Sequence, residues 1–212
     1  MPKRRTSRTP GASDDAVPMI IEFLLDQTGS MTRYRAETLT GYSDFLATQR
    51  EAPGTCLFSL TKFSTCGLVT PFVDIDVRRV PVLDEHSFVP DGMTNLRDAI
   101  CERIANLETR LSTWDVAPRV LFVCLTDGDD NASRRSRAEV RKQIVAATDR
   151  GWTMAYLGSH PSAAQAARDM GFDDGNIRTF EQASTRETMT DLGVATATFR
   201  ATASARTIFS NG

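Results

Sequence analysis

The chain has almost no net charge to work with. Its 25 Lys and Arg against 27 Asp and Glu leave −2 at pH 7. That removes any bulk electrostatic reason to bind nucleic acid or an anionic membrane. No apolar run approaches the ~20 residues of a membrane span. The basic start, Lys3-Arg4-Arg5, is followed by a short apolar run broken by Glu22 and Asp26, which is not a secretory signal. Histidine is scarce: His86 and His160 stand alone, and surface or capping roles suit both. The cysteines, Cys56, Cys66, Cys101 and Cys124, lack CxxC spacing, so no zinc site or disulfide framework is read. Cys101 and Cys124 sit among apolar neighbours, as small buried thiols do. Cys56 and Cys66 fall at different heights of one expected hairpin, which argues against a bridge. A reduced, cytoplasmic chain without membrane contact is the expectation. There is no internal repeat.

What remains is ordinary for a globular domain: 41% hydrophobic and 25% charged residues. Residues 1–18 are Pro, Gly, Ser, Thr and charge, and read as a disordered tail. Residues 19–202 read as one domain and residues 203–212 as a C-terminal tail. Met19 to Leu25 is a near-continuous apolar strand, as in a parallel sheet covered on both faces. Glu22 interrupts it and, if buried, needs a partner that the sequence does not name. A helix follows from about Met31 to Gln49, with Tyr34, Thr38, Tyr42, Phe45 and Leu46 on one stripe. Pro53-Gly54 ends it. Thr55 to Lys62 and Cys66 to Ile75 form an antiparallel hairpin, and Pro71 makes the second run an edge strand.

Residues 76–93 read as a long surface loop. Asn95 is a good cap for a helix whose stripe is Leu96, Ile100, Ile104, Leu107 and Leu111. Val120 to Leu125 is a buried strand. Ser136 and Glu139 form a capping box for a helix to about Arg150, stopped by Gly151. Trp152 to Leu157 is a strand, Ser159-His160-Pro161 opens a short helix ended by Gly171, and Ile177 to Phe180 is a short strand. Ser184 and Glu187 cap a last helix that buries Leu192, Ala195 and Phe199. Trp114 and Trp152 read as packing residues. The alternation predicts an α/β fold, Rossmann-like and doubly wound. Its sheet is mostly parallel with one antiparallel edge strand and helices on both faces.

Three loops carry oxygen donors at the same rim of such a sheet. Asp26-Gln27-Thr28-Gly29-Ser30-Met31 follows the first strand, Thr94 precedes a helix, and Asp127 ends the Val120 strand. Ligands in open α/β sheets bind beyond the carboxyl ends of the strands, at the switch point. Asp26 and Asp127 can meet across it. Carboxylates and hydroxyls suit a hard cation, Mg²⁺ above all. The same residue types also turn and cap chains without any ligand.

At this point the chain resembles a known family, the von Willebrand factor A (vWA) domains. The residues that carry the likeness are Asp26-Gln27-Thr28-Gly29-Ser30-Met31, then Gly92-Met93-Thr94-Asn95-Leu96-Arg97-Asp98-Ala99-Ile100, then Leu125-Thr126-Asp127-Gly128. The family's metal-ion-dependent adhesion site (MIDAS) combines an Asp-x-Ser-x-Ser loop with a distant Thr and a distant Asp; Thr28 stands here where Ser is usual. Gly151-Trp152-Thr153-Met154-Ala155-Tyr156-Leu157-Gly158 and Asp127-Gly128-Asp129-Asp130-Asn131-Ala132-Ser133 are similar to a small stand-alone intracellular branch found in bacteria and phages. The resemblance spans about residues 19–202. It implies Mg²⁺, with Mn²⁺ or Ca²⁺ as substitutes, at Asp26, Thr28, Ser30, Thr94 and Asp127. It also implies a protein partner that offers a carboxylate to the metal, and in some relatives an AAA+ ATPase or a larger assembly.

The alternative is a metal-dependent phosphoryl-transfer enzyme, a nuclease or phosphatase, using Asp26 and Asp127 with Asp129 and Asp130. A haloacid-dehalogenase-like phosphatase would want an acid two residues after Asp26, where Thr28 stands. A Toprim-like nuclease would want its Glu at a strand end, whereas Glu22 is mid-strand. Arg33, Arg35, Arg97, Arg134, Arg135 and Arg137 follow the three loops at the starts of helices, where cations oppose the macrodipole. They are expected either to ring the site as a positive rim for an acidic protein segment or to be solvated side chains offset by Asp98, Asp129, Asp130 and Glu139. Asp98 is expected to cap its own helix.

Overall fold

The computed structural model describes residues 18–159, 161–202 and 207–209. The expected N-terminal tail, apart from Pro18, and His160 lie outside the described residues. Six strands form one sheet in the order β3-β2-β1-β4-β5-β6. They are β1 (Met19–Asp26), β2 (Cys56–Ser64), β3 (Gly67–Asp76), β4 (Arg119–Thr126), β5 (Thr153–Gly158) and β6 (Ile177–Thr179). All neighbours are parallel except β2 and β3. The helices are α1 (Arg35–Glu51), α2 (Leu96–Leu111), α3 (Arg137–Asp149), α4 (Pro161–Met170) and α5 (Thr185–Ala201).

The period-two alternation of β1 sorts its side chains between two cores. Met19, Ile21, Phe23 and Leu25 join the residues of α1 and α5, whereas Ile20 and Leu24 join those of α2, α3 and α4. Phe23, Tyr42, Phe45 and Phe58 form an aromatic cluster with centroids 5.6–6.3 Å apart. Gly41 lets α1 close on α5, for a Cβ there would meet the Met189 Cβ at 2.9 Å. Arg200 donates to the carbonyls of Gln49, in the last turn of α1, and of Ala52, Pro53 and Gly54 just past it, and Arg119 donates to those of Phe199 and Thr202 at the end of α5. These guanidiniums take up carbonyls that helix ends leave unpaired.

Pro71 does lie in an edge strand: among the described residues β3 pairs with β2 alone and carries two register shifts, one of them beside Asp74 with φ 49°. Bulges, a proline and acidic side chains blunt a sheet edge against further pairing. Cys56 is buried near one end of the hairpin and Cys66 exposed at its turn, and both thiols are free.

Several expectations need correction. The helix expected from Met31 starts as a 3₁₀ segment, Gly29–Tyr34, and becomes α-helical at Arg35. Residues 76–93 are not simply surface: Val77, Val80, Leu83 and Phe88 are buried in the core. Asn95 makes no side-chain cap, and neither does Ser184 for α5; Ser184 instead shares a capping box with Glu181 in the preceding 3₁₀ turn. The Ser136–Glu139 capping box is present. The supposed C-terminal tail includes Ile208 and Phe209, both buried, with Ile208 N donating to Asn176 Oδ1 and Arg178 stacked on the Phe209 ring. Burying two such side chains is worth roughly 1.5–3 kcal/mol each.

Glu22 finds two partners, both on α2. Arg103 Nη2 and Arg110 Nη2 each lie 2.9 Å from one of its oxygens, and Arg110 also reaches Asp74 at 3.2 Å. Glu22 is fully buried and Arg103 nearly so. Removing one partner of a buried pair leaves an uncompensated charge. Arg103→Met is therefore expected to cost on the order of 3 kcal/mol, read as a lower urea midpoint, whereas Arg110→Met, at a more exposed position, should cost less. Equal, sub-kilocalorie losses in both would show that the network is dispensable.

Candidate metal centre

The ends of β1 and β4 lie side by side, and the three oxygen-bearing loops converge above them. Asp26 is fully buried at the end of β1. One of its oxygens accepts from Thr28 N at 2.7 Å and the other from Thr126 Oγ1 at 2.5 Å. Thr28 Oγ1 lies 3.1 Å from Ser30 Oγ and 3.4 Å from Thr94 Oγ1. Ser30 Oγ donates to Asp127 Oδ1 at 2.7 Å. All five residues expected at a metal site are thus joined in one cluster of two carboxylates and three hydroxyls. Asp26, Thr28, Thr94 and Asp127 are buried, and Ser30 is exposed.

The loops are fixed to one another by backbone and side-chain bonds. Gly29 N donates to Gly92 O at 3.0 Å and Asp91 N to Gln27 O at 2.9 Å. Gly92 has φ 79°, and a Cβ there would meet Thr65 Oγ1 at 2.8 Å and Cys66 Sγ at 2.9 Å, so glycine alone fits this approach. Thr94 is held from both sides of its peptide: its N donates to Asn131 Oδ1, and its O accepts from Asn131 N and Ala132 N, all at 3.0 Å.

The start of α2 is capped by the same neighbouring loop. Asp130 Oδ2 accepts from Arg97 N at 2.7 Å, and Ser133 Oγ from Asp98 N at 3.2 Å. Asp98 does not cap its own helix but returns the clasp, accepting from Arg134 N and Arg135 N at 2.9 Å each. Sequence reading missed Thr126 and Asn131. Both sit in polar runs at a strand end, but their partners lie far away in the chain.

Burial dominates the Asp26 carboxyl and pushes it up to about 6, although the bonds from Thr126 and Thr28 pull down and the nearby Asp127 charge adds a little upward. Among the described residues no basic side chain bonds to it. Asp127 has one: Arg33 Nη2 lies 3.4 Å from its Oδ2, on a largely exposed side chain.

Of the six arginines expected to form a rim, only Arg33 touches the cluster. Arg35 donates to the carbonyls of Phe88 and Glu85. Arg97 pairs with Asp130 at 3.1 Å and Arg137 with Asp169 at 3.5 Å. The Arg134 and Arg135 side chains line a depression between α2 and α3 with Glu102 and Glu139. Arg35, Arg97 and Arg137 are thus each engaged by carbonyls or a carboxylate outside the cluster.

The donor set fits a hard divalent cation. Every oxygen is a carboxylate or hydroxyl, and no thiolate or imidazole is present to favour a soft metal. Among the described residues no group of three or more His, Cys, Asp and Glu converges to hold a metal. A cation here would therefore depend on the hydroxyls.

No family model matches the sequence, and no curated protein matches it either. Solved structures do match. The chain is similar to the pilus adhesin SpaC from Lactobacillus rhamnosus GG, with a TM-score of 0.66 at 12% identity over 86% of this chain and 30% of that one. It is similar to a von Willebrand factor type A protein from Catenulispora acidiphila, with 0.58 at 15% identity over 86% and 43%. It is also similar to the mussel byssus proximal thread matrix protein 1 with a zinc-occupied MIDAS motif, with 0.54 at 14% identity over 85% and 48%. The chain spans less than half of each of these solved chains. At such identities the likeness concerns the fold, a six-stranded, mostly parallel sheet of the vWA type.

Two outcomes follow from the electrostatics. The raised Asp26 pKa means that this group favours the folded chain fully below about pH 4 and loses that contribution as pH rises through 6. A cation needs the ionised carboxylate. Divalent-ion affinity should thus fall by up to about tenfold per pH unit below 6 and level off above it, and the Mg²⁺-induced rise in melting temperature should be larger at pH 7.5 than at pH 5. Calorimetric affinities that stay flat across that range would contradict the assignment. Arg33→Gln removes a competing cation from Asp127 and should tighten Mg²⁺ binding, by up to about fivefold for an exposed pair worth about 1 kcal/mol at most. Weaker binding in that variant would mean that Arg33 supports the site.

Proposed function

We propose that this chain is a divalent-cation-dependent protein-binding domain. Asp26, Thr28, Ser30, Thr94 and Asp127 hold Mg²⁺, or Mn²⁺ or Ca²⁺ in its place, and the partner protein contributes a carboxylate. The observation that carries the reading is the convergence of three neutral hydroxyls with a buried carboxylate to which no basic group bonds among the described residues. Neutral donors leave a bound cation electron-poor, so it supplies an open position for an anionic oxygen from outside. The fold shared with an adhesin and with a protein bearing metal in a MIDAS motif supports the same reading.

The residues argue for binding rather than phosphoryl transfer. A haloacid-dehalogenase-like phosphatase would want an acid two residues after Asp26, and Thr28 stands there with its hydroxyl in the cluster. Asp130 is committed to the start of α2. Glu22 is held by two arginines partway along β1.

Titration calorimetry with MgCl₂ and with MnCl₂ tests the site. One binding event per chain is expected, absent in Asp26→Ala, and unchanged binding in that variant would refute the assignment. Capture of a protein from a cell extract in Mg²⁺ but not in EDTA, abolished by the same substitution, tests the partner.

A further inference from the structure

A pocket of about 460 Å³ opens beside the oxygen cluster, between the starts of α2 and α3, the loop after β4, and α4. Gly128 belongs to its wall and also abuts the cluster: a Cβ there would lie 3.5 Å from Thr94 Oγ1 and 3.7 Å from Ser30 Oγ. A ligand seated on the cluster therefore has this pocket next to it, and the volume is within the range of small-ligand sites.

The lining is amphipathic in a particular way. Leu96, Tyr156 and Met170 are almost fully buried and give it an apolar floor. Above the floor stand two arginines and three carboxylates. Arg97 is paired with Asp130 and Arg137 with Asp169, whose other oxygen accepts from Gln165. Asp129 is exposed and has no hydrogen bond or ion pair among the described residues. Among the described residues the pocket thus has one carboxylate to spare and no spare cation. A phosphate or second carboxylate would meet that charge unaided. A long cationic side chain would lay its methylenes on the floor and bring its head to Asp129.

We propose that this pocket receives a lysine or arginine side chain of the same partner segment that offers its carboxylate to the metal. The inference rests on the cation-dependent reading above and specifies its partner: a segment with one acidic and one basic residue a few positions apart. An isolated carboxylate is common on protein surfaces, and the second contact is what discriminates among them.

The test uses the full ¹⁵N-labelled chain in MgCl₂. The probes are acetylated, amidated hexapeptides of Gly and Ser with one Asp and one Lys at each spacing. Matched peptides carry norleucine for the Lys, or Asn for the Asp. At the favoured spacing the Lys peptide should bind about fivefold more tightly than its norleucine match, an energy of about 1 kcal/mol. It should also shift the amide signals of Gly128, Asp129 and Ala166. The preference should fall below about twofold in Asp129→Asn and turn toward a Glu-for-Lys peptide in Asp129→Lys, while Mg²⁺ affinity in Asp129→Asn stays at the wild-type value. Mg²⁺-dependent binding with no preference for Lys overturns the pocket assignment and leaves the metal reading standing. Binding indifferent to EDTA and to the Asn replacement overturns the metal reading, and no binding of any peptide at millimolar concentration overturns both.

Discussion

Two carboxylates lie four residues apart on the same face of β1, and the protein treats them in opposite ways. Glu22 is buried and answered by two guanidiniums at 2.9 Å. Asp26 is equally buried and, among the described residues, bonded by a hydroxyl and an amide but by no cation, and its burial holds the proton to about pH 6. An ionised carboxylate out of water demands a positive partner. The first demand is met inside the fold; the second is left for something from outside. The surrounding loops bring hydroxyls to that place but no basic side chain to Asp26.

Precision at the cluster comes from capping in trans. The N-terminus of α2 exposes amides that its own Asn95 does not reach. The loop after β4 supplies Asp130 and Ser133 to them, and Asp98 of α2 accepts two amides of that loop in return. Satisfying the orphan donors of one helix thereby fixes the position of Asp127's loop relative to Thr94. A site built on interlocked termini of regular elements holds its ligand groups more tightly than one on free loops. Asn131 is the most direct link, since it brackets the Thr94 peptide with its side chain and its main chain.

The sequence was informative wherever the signal was local or periodic. The near-continuous apolar run from Met19 to Leu25, the stripe from Leu96 to Leu111, the Ser136–Glu139 box and the stops at Gly151 and Gly171 each reflect neighbours within a turn or two. The oxygen loops were visible because strand ends announce themselves by where the apolar run stops. What was lost depends on partners far away in the chain. Nothing near Glu22 points to Arg103 or Arg110, and nothing near Asn95 says that Asp130 will do its capping. The six arginines stand at alike sequence positions, but Arg33, Arg35, Arg97 and Arg137 each meet a different carboxylate or carbonyl. Ile208 and Phe209 follow a polar stretch too short on apolar residues to signal docking, although Asn176 and Arg178 were waiting for them.

The sheet order has a kinetic meaning. β1 pairs with β2 through one helix and β4 with β5 through another, so each half of the sheet grows from contacts close in sequence. The seam between the halves is β1 against β4, where Met19 stands opposite Arg119, closing a loop of about 100 residues. Such closures come late, because chain entropy must be given up before the contact returns anything. Asp26 lies on one side of the seam and Asp127 on the other. A cation held between them would draw its ligands from both halves, so it would act as a latch that slows their parting.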